Sequence, residues 1–304
     1  MPEAAGVPGI PDVPGIPDSM GLLVRGIAEC RRPVAVLAGA GVSASAGVST
    51  GQELLRGIAA RQGEVIDGDP VAWYLGRHGA FPNYIRMLQS EGDVSHDTLA
   101  LPTSHFDRQP DGGPTRPTPA HRALASLVAA GHLRGPVLTT NFDRLLETAL
   151  GEAGVRVEVA LELEGIAAAT QRLAADETLA HVCELVKLHG DYLDIRIRDT
   201  SCGFATYHPV IETFLQTVLD HCDLLVCGWS ASWDIPLRQA LERTAHPGRR
   251  TFWLQCGPPT DPALRVMRAR DAVVVPVTDS DAGLTELARR AEPAAPAQPP
   301  GRPT

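Results

Sequence analysis

Four short segments of this chain place polar groups where chemistry can occur. The first is Gly39-Ala40-Gly41-Val42-Ser43, with Gly47 further on, directly after the apolar run 33–38. Glycines at a strand-to-helix turn let backbone amides approach a diphosphate, and a helix N-terminus behind them adds positive dipole. The third glycine does not fall where G-x-G-x-x-G expects it. No acidic residue closes a second strand about 20 residues on, because Glu53 falls in a helical stretch, so an ordinary dehydrogenase fingerprint fits poorly. A tight turn that only needs small residues is the competing reading.

The second segment, Thr139-Thr140-Asn141-Phe142-Asp143, follows the apolar run 136–140 and puts Asn141 and Asp143 just past a strand's carboxyl end, where open α/β sheets bind ligands. Asp143 could equally cap the next helix. That role would leave Asn141 unemployed. The third is Lys187-Leu188-His189-Gly190-Asp191. A histidine at a strand end followed by glycine is well placed as a base, with a surface or capping histidine as the alternative in a chain with 10 histidines. The fourth, Gly228-Trp229-Ser230-Ala231-Ser232-Trp233-Asp234, opens from the run 223–227. Gly228 and Ser230 could meet phosphate or ribose, and Asp234 could accept from ribose hydroxyls. Trp229 and Trp233 could stack on a ligand or pack in the core.

These segments need a scaffold that brings strand ends together. Short β-rich runs at 33–38, 136–140, 155–161, 182–188, 223–227, 251–255 and 272–277 alternate with helical stretches. Near-continuous apolar strands separated by helices predict a parallel sheet covered on both faces, a doubly wound, mostly parallel Rossmann-like α/β domain. Between about 52 and 119 the strand rhythm disappears, which predicts an inserted helical lobe with a loop across 90–119. Residues 1–18, with VPGIPD twice in tandem, and 292–304 are rich in proline with glycine or alanine, so both read as extended tails around a body at 19–291.

The chain has 304 residues, 44% of them hydrophobic and 21% charged, which suits a folded domain with a sizeable core. With 27 Lys+Arg against 36 Asp+Glu the net charge is -9, so the electrostatic footprint of a duplex-binding protein is missing and no direct nucleic-acid binding is expected. No apolar run approaches the roughly 20 residues of a membrane-spanning helix. Nor does the start read as a signal peptide, so a cytoplasmic protein is expected. The six cysteines form no CxxC pair, which argues against a disulfide framework or a four-cysteine zinc site.

Taken in order, GAGVS with Gly47, TTNFD, the KLHG histidine and the GWS turn resemble the SIR2-like family, the NAD-consuming fold shared by sirtuin deacylases and bacterial NAD hydrolases of antiphage defence. PAHRALASL before TTNFD and the run CGWSASWDIPLRQAL are similar to its prokaryotic branch. The resemblance spans roughly 33 to 241. Two departures bear on activity. Sirtuin deacylases carry a four-cysteine zinc module that this chain lacks, and they follow the glycine loop with Asp-Phe-Arg where this chain reads Val48-Ser49-Thr50-Gly51-Gln52-Glu53.

The resemblance therefore implies an NAD+ glycohydrolase, giving nicotinamide and ADP-ribose, that acts as an antiphage defence effector. It implies NAD+ as substrate and no metal. Asn141 would orient the nicotinamide ribose and the attacking water, Asp143 would hydrogen-bond the carboxamide, and His189 would accept a proton. Gly39, Ala40, Gly41, Ser43, Gly47, Thr140, Gly228, Trp229, Ser230 and Asp234 would hold the dinucleotide. A sensor that binds NAD or ADP-ribose without cleavage is the alternative from another class; protein deacylation or ADP-ribosyl transfer is the third. Since an unrestrained NAD hydrolase would deplete its own cell, control by self-assembly or by a separate partner protein is expected, with the inserted lobe as contact surface and the 90–119 loop as a lid.

Overall fold

The computed structural model describes residues 18–80, 82, 87, 106, 112–175, 182–192, 207–243 and 248–292. The expected N-terminal tail apart from Asp18, the C-terminal tail apart from Glu292, and most of the expected 90–119 loop lie outside the described residues. Seven strands form one sheet: β1 (Val34–Ala38), β2 (Val137–Thr139), β3 (Arg156–Ala160), β4 (Val182–Lys187), β5 (Asp223–Cys227), β6 (Thr251–Cys256) and β7 (Val273–Val277). Every pairing is parallel, in the order β3-β4-β2-β1-β5-β6-β7, and each strand falls on one of the runs expected from sequence.

Ten helices flank the sheet among the described residues: α1 (Ser19–Ala28), α2 (Gly51–Arg61), α3 (Pro70–His78), α4 (Pro119–Ala129), α5 (Leu145–Glu152), α6 (Leu163–Ala174), α7 (Pro209–His221), α8 (Ile235–Arg243), α9 (Asp261–Ala269) and α10 (Ser280–Ala291). Alternate residues of β1 serve opposite faces, as the period-two pleat requires. Val34, Val36 and Ala38 pack with Leu23, Leu127, Leu150 and Leu284, hence under α1, α4, α5 and α10. Ala35 and Leu37 pack with Ile166, Phe214, Leu237 and Val266, hence under α6, α7, α8 and α9. All five β1 residues are buried, so β1 is central on both faces and along both edges. A smaller core of Val48, Leu54, Leu55, Val71, Met87 and Phe106 joins Phe142, Leu145 and Tyr192 above the carboxyl edge.

The helix starts follow from sequence chemistry. Proline at the first position loses no needed N–H, and a preceding Ser, Thr, Asp or Asn fills a free one. Thr118 and Pro119 start α4, and Thr50 starts α2, each with a reciprocal capping box closed by His121 or Glu53. Glu53 is thus a helix-capping residue.

The chain leaves β1 toward β2 on one side, while β5 leads to β6 on the other. This is the topological switch point, where an open sheet leaves a crevice. The two loops there interlock through backbone. Gly39 N–H donates to Cys227 O at 3.0 Å and Gly41 N–H donates to Gly228 O at 2.9 Å. A Cβ on Gly39 would lie 2.5 Å from Gly228 O, and one on Gly228, whose φ is +63, would lie 2.7 Å from Val42 N. One expectation is corrected here. The glycine loop does not open into an α-helix but into two single 3-10 turns, Ala40–Val42 and Ala44–Ala46, the second closed by Gly47 in a left-handed conformation at φ 82. The first regular helix begins only at Gly51.

Gly228→Ala is expected to destabilise the fold by at least about 1 kcal/mol from its positive φ alone, with the Val42 clash in addition. Urea unfolding measures this, and an unchanged midpoint would show that the two loops have more room than the interlock allows.

Candidate active site

The crevice at the switch point is a cavity of about 410 Å³. Its walls include Ala40, Gly41 and Ser43 from the first loop, Thr140, Asn141 and Asp143 from the second, His189 from the third, and Gly228, Trp229, Ser230 and Asp234 from the fourth. Of the residues expected to hold a ligand, Gly39 and Gly47 are not on its wall. Gly39 acts beneath the surface, where its carbonyl accepts from Asn141 Nδ2 at 3.3 Å. Gly47 turns the chain.

Asn141 is held from below. Its backbone N–H donates to Thr139 Oγ1 at 3.0 Å, and its Nδ2 also donates to Ser43 Oγ at 3.0 Å. Ser43 Oγ in turn donates to Asp143 Oδ2 at 2.8 Å. With Nδ2 committed, the amide points Oδ1 away from these partners, and that buried oxygen has no hydrogen-bond partner among the described residues. A buried acceptor left unpaired costs about 1–3 kcal/mol. It is therefore the feature of this wall that a ligand donor would satisfy.

Both readings of Asp143 meet in the structure. Its Oδ1 accepts from Leu145 N at 3.0 Å, within the first turn of α5, and its Oδ2 takes the Ser43 hydroxyl, so the carboxylate caps the helix and braces Asn141. The expected carboxamide contact would have to share those oxygens. Asp234 is committed in the same way: Oδ1 accepts from Leu237 N at 2.9 Å, Oδ2 faces His189 Nε2 at 2.7 Å, and the Tyr207 hydroxyl donates to the same Oδ2. A ribose contact by Asp234 would have to share Oδ2 with this carboxylate–imidazole pair. Trp229 lines the cavity and also packs on Trp253, ring centroids 5.7 Å apart, while Trp233 lies over Gly51 so closely that a Cβ there would come within 2.6 Å.

Two buried polar groups that the sequence reading passed over position these loops. Lys187, at the end of β4, is fully buried, and its ammonium donates to Phe142 O at 3.2 Å, Asp143 O at 2.5 Å, Glu147 Oε1 at 3.0 Å and Asp191 Oδ2 at 2.9 Å. Arg144 Nε reaches both oxygens of Asp191, at 3.0 and 2.8 Å. Burial pushes the Glu147 carboxyl above its ordinary range, and the Lys187 ammonium opposes that shift. A lysine closing a largely apolar strand, with an acid four residues on, was the available signal. The second group is His121. Its Nδ1 accepts from Thr118 N at 3.1 Å, which leaves the ring proton on Nε2, 3.3 Å from Ser43 Oγ. Burial is the main cause that lowers its pKa. Tyr207 left no sequence signal, since nothing in spacing ties it to His189.

The buried thiols of Cys30, Cys183, Cys222 and Cys227 are pushed up to about 12, chiefly by burial, so none is a ready nucleophile. Among the described residues no cluster of three or more His, Cys, Asp or Glu could hold a metal ion. Among them, too, no helix is long and apolar enough to cross a membrane.

Residues 136–272 match the model of the SIR2-like domain family. That span is a SIR2-like domain. The matched span of this SIR2-like chain holds Asn141, Asp143, His189, Gly228, Ser230 and Asp234, and the glycine loop precedes it. No curated protein matches the sequence. The SIR2-like fold is similar to that of a SIR2 homolog–NAD complex, with a TM-score of 0.50 and 18% identity over 89% of this chain and 93% of that one. A Sir2 enzyme structure aligns with a TM-score of 0.49 and 15% identity over 91% and 98%. At 18% identity the likeness to the NAD complex is one of fold.

Two outcomes are expected. Lys187→Met leaves Glu147 without its cation and Asp191 with Arg144 alone, and should cost about 3–5 kcal/mol; a urea midpoint equal to wild type would show that the ammonium is dispensable. For His121 the folded pKa lies below the ordinary 6.5, so the unfolded chain takes up the proton first. Its contribution to stability is complete above about 6.5 and declines as pH falls below it. His121→Gln should flatten that part of the pH–stability curve, and an unchanged curve would remove His121 as its source.

Proposed function

We propose that this SIR2-like protein cleaves the bond between ribose C1′ and the nicotinamide nitrogen of NAD+, with water as acceptor. The observation that carries the reading is the unpartnered Oδ1 of Asn141, on the wall of a cavity of about 410 Å³ that His189 also lines. Support comes from the position of that cavity at the switch point of a parallel sheet, the place where such folds bind dinucleotides, and from the family match. An NAD complex among the similar folds agrees with this substrate.

The leaving group is electron-poor and departs as neutral nicotinamide, while C1′ takes on oxocarbenium character. The protein has to hold the dinucleotide, place water against C1′ and take up one proton. Asn141 Oδ1 accepts from a hydroxyl of the nicotinamide ribose or from the attacking water. His189 takes the proton. Ser43 and Asp143 contribute by fixing the Asn141 amide, and the backbone at Gly41 and Gly228, where the lack of Cβ atoms lets the two loops close on each other, borders the space for the diphosphate. Thr140, Ser230 and Trp229 complete the wall against the dinucleotide.

The departures from the deacylase pattern favour hydrolysis over acyl transfer, because water needs neither the zinc module nor a peptide cleft. In this reading the protein is a defence effector that acts by depleting NAD+, restrained until self-assembly or a partner protein triggers it.

Purified protein incubated with NAD+ is expected to release nicotinamide and ADP-ribose in equal amounts, and Asn141→Ala and His189→Ala to lower the rate by about 10²–10⁴-fold with the fold intact. Binding of ADP-ribose without nicotinamide release would make the protein a sensor, and release at the wild-type rate by either variant would remove the site.

A further inference from the structure

His189 and Asp234 come from opposite sides of the switch point. His189 follows β4, Asp234 follows β5, and β2 and β1 lie between those strands in the sheet. Their side chains nevertheless meet at 2.7 Å, with Asp234 1% and His189 11% exposed. The Asp234 carboxylate cannot turn away, since Leu237 N holds Oδ1 and the Tyr207 hydroxyl, just before α7, holds Oδ2. Three separate elements therefore converge on one imidazole nitrogen.

We propose that Asp234, braced by Tyr207, is a positioning residue that fixes the tautomer and orientation of His189, so that Nδ1 is the basic nitrogen of the site. The inference rests on the NAD-cleaving reading above. A carboxylate only accepts hydrogen bonds, so Nε2 carries the ring proton and the lone pair resides on Nδ1. When water adds to C1′, a C1′–O bond forms and the C1′–N bond breaks, with its electron pair leaving on nicotinamide. The proton of the water passes to Nδ1, and the imidazolium so formed is stabilised by Asp234, which stays ionised. Release of that proton to solvent restores the base, so NAD+ and water give nicotinamide, ADP-ribose and one proton. The logic matches the aspartate of a Ser-His-Asp triad, where the carboxylate orients the ring without becoming protonated.

Two measurements test this. In Asp234→Asn the amide oxygen can still accept from Leu237 N, so the cap on α8 survives while the fixed negative charge is lost. The kcat for nicotinamide release should fall by about 10²–10⁴-fold, as for loss of a correctly held base, with KM for NAD+ and ADP-ribose affinity within about threefold, a change below 1 kcal/mol. Tyr207→Phe, which removes one brace, should lower kcat less and in the same direction. Wild-type kcat in Asp234→Asn, or a KM that rises while kcat holds, would overturn the proposal. The second measurement needs no activity: 15N NMR of the imidazole at mildly alkaline pH should show His189 protonated at Nε2 in the wild type and a mixture of tautomers in Asp234→Asn. An Nδ1-protonated ring in the wild type would overturn the assignment even if NAD+ proves not to be the substrate, and an inactive wild type with the Nε2 tautomer would sink only the hydrolase reading.

Discussion

The site depends on one buried cation. Lys187 ends β4 with no exposure to solvent, and an ammonium taken out of water is tolerated only where acceptors surround it. Three of its four acceptors belong to the two loops that carry Asn141 and His189. Phe142 O and Asp143 O come from the loop of Asn141, while Asp191 lies two residues beyond His189. Satisfying the charge therefore sets the spacing of Asn141 and His189. Arg144 closes the arrangement by clamping Asp191 from outside, so the carboxylate is shared between a buried and a half-exposed cation.

A second constraint is steric and works on the other side of the crevice. The first and fourth loops touch backbone to backbone at Gly39, Gly41 and Gly228, where side chains would collide. The side of the wall with Asn141 and Asp143 is thus fixed by charge and hydrogen bonds, the glycine side by the absence of Cβ atoms. Ser43 belongs to both: it sits on the glycine loop yet passes a hydrogen bond from Asn141 to Asp143, with the neutral His121 ring behind it. Most of the polar groups on this wall are satisfied by one another, so the buried Asn141 Oδ1, with no partner among the described residues, stands out on it.

The sheet was legible because burial on both faces writes itself into composition. Runs such as PVAVLA and DLLVC have no other economical use in an α/β chain, and the loops that follow them had to share one edge. The roles of individual side chains were less legible. Spacing within a segment says that Asp143 can cap α5 but not that Ser43, a hundred residues earlier, will take its other oxygen. Asp234 reads as a ribose acceptor in sequence, since nothing local announces that His189 and Tyr207 will meet it. Lys187 sat in plain view beside His189. Its role became readable only with the carbonyls of Phe142 and Asp143 in place. The expected helix after the glycine loop failed for a local reason: the segment stops after two tight turns that meet at Ser43, and Gly47, left-handed, ends the second.

Asn141 is a preset residue whose buried Oδ1 a ligand hydroxyl could satisfy while the Lys187 contacts stay as they are. The measurement that bears on this most directly is a crystal structure of the protein with ADP-ribose. A hydroxyl of the terminal ribose should donate to Asn141 Oδ1 at hydrogen-bond distance, about 2.5–3.0 Å, with His189 alongside and the ammonium of Lys187 still on Phe142, Asp143, Glu147 and Asp191. An ADP-ribose bound elsewhere, or one in the crevice that leaves Oδ1 unpaired or reorganises the Lys187 cluster, would contradict it.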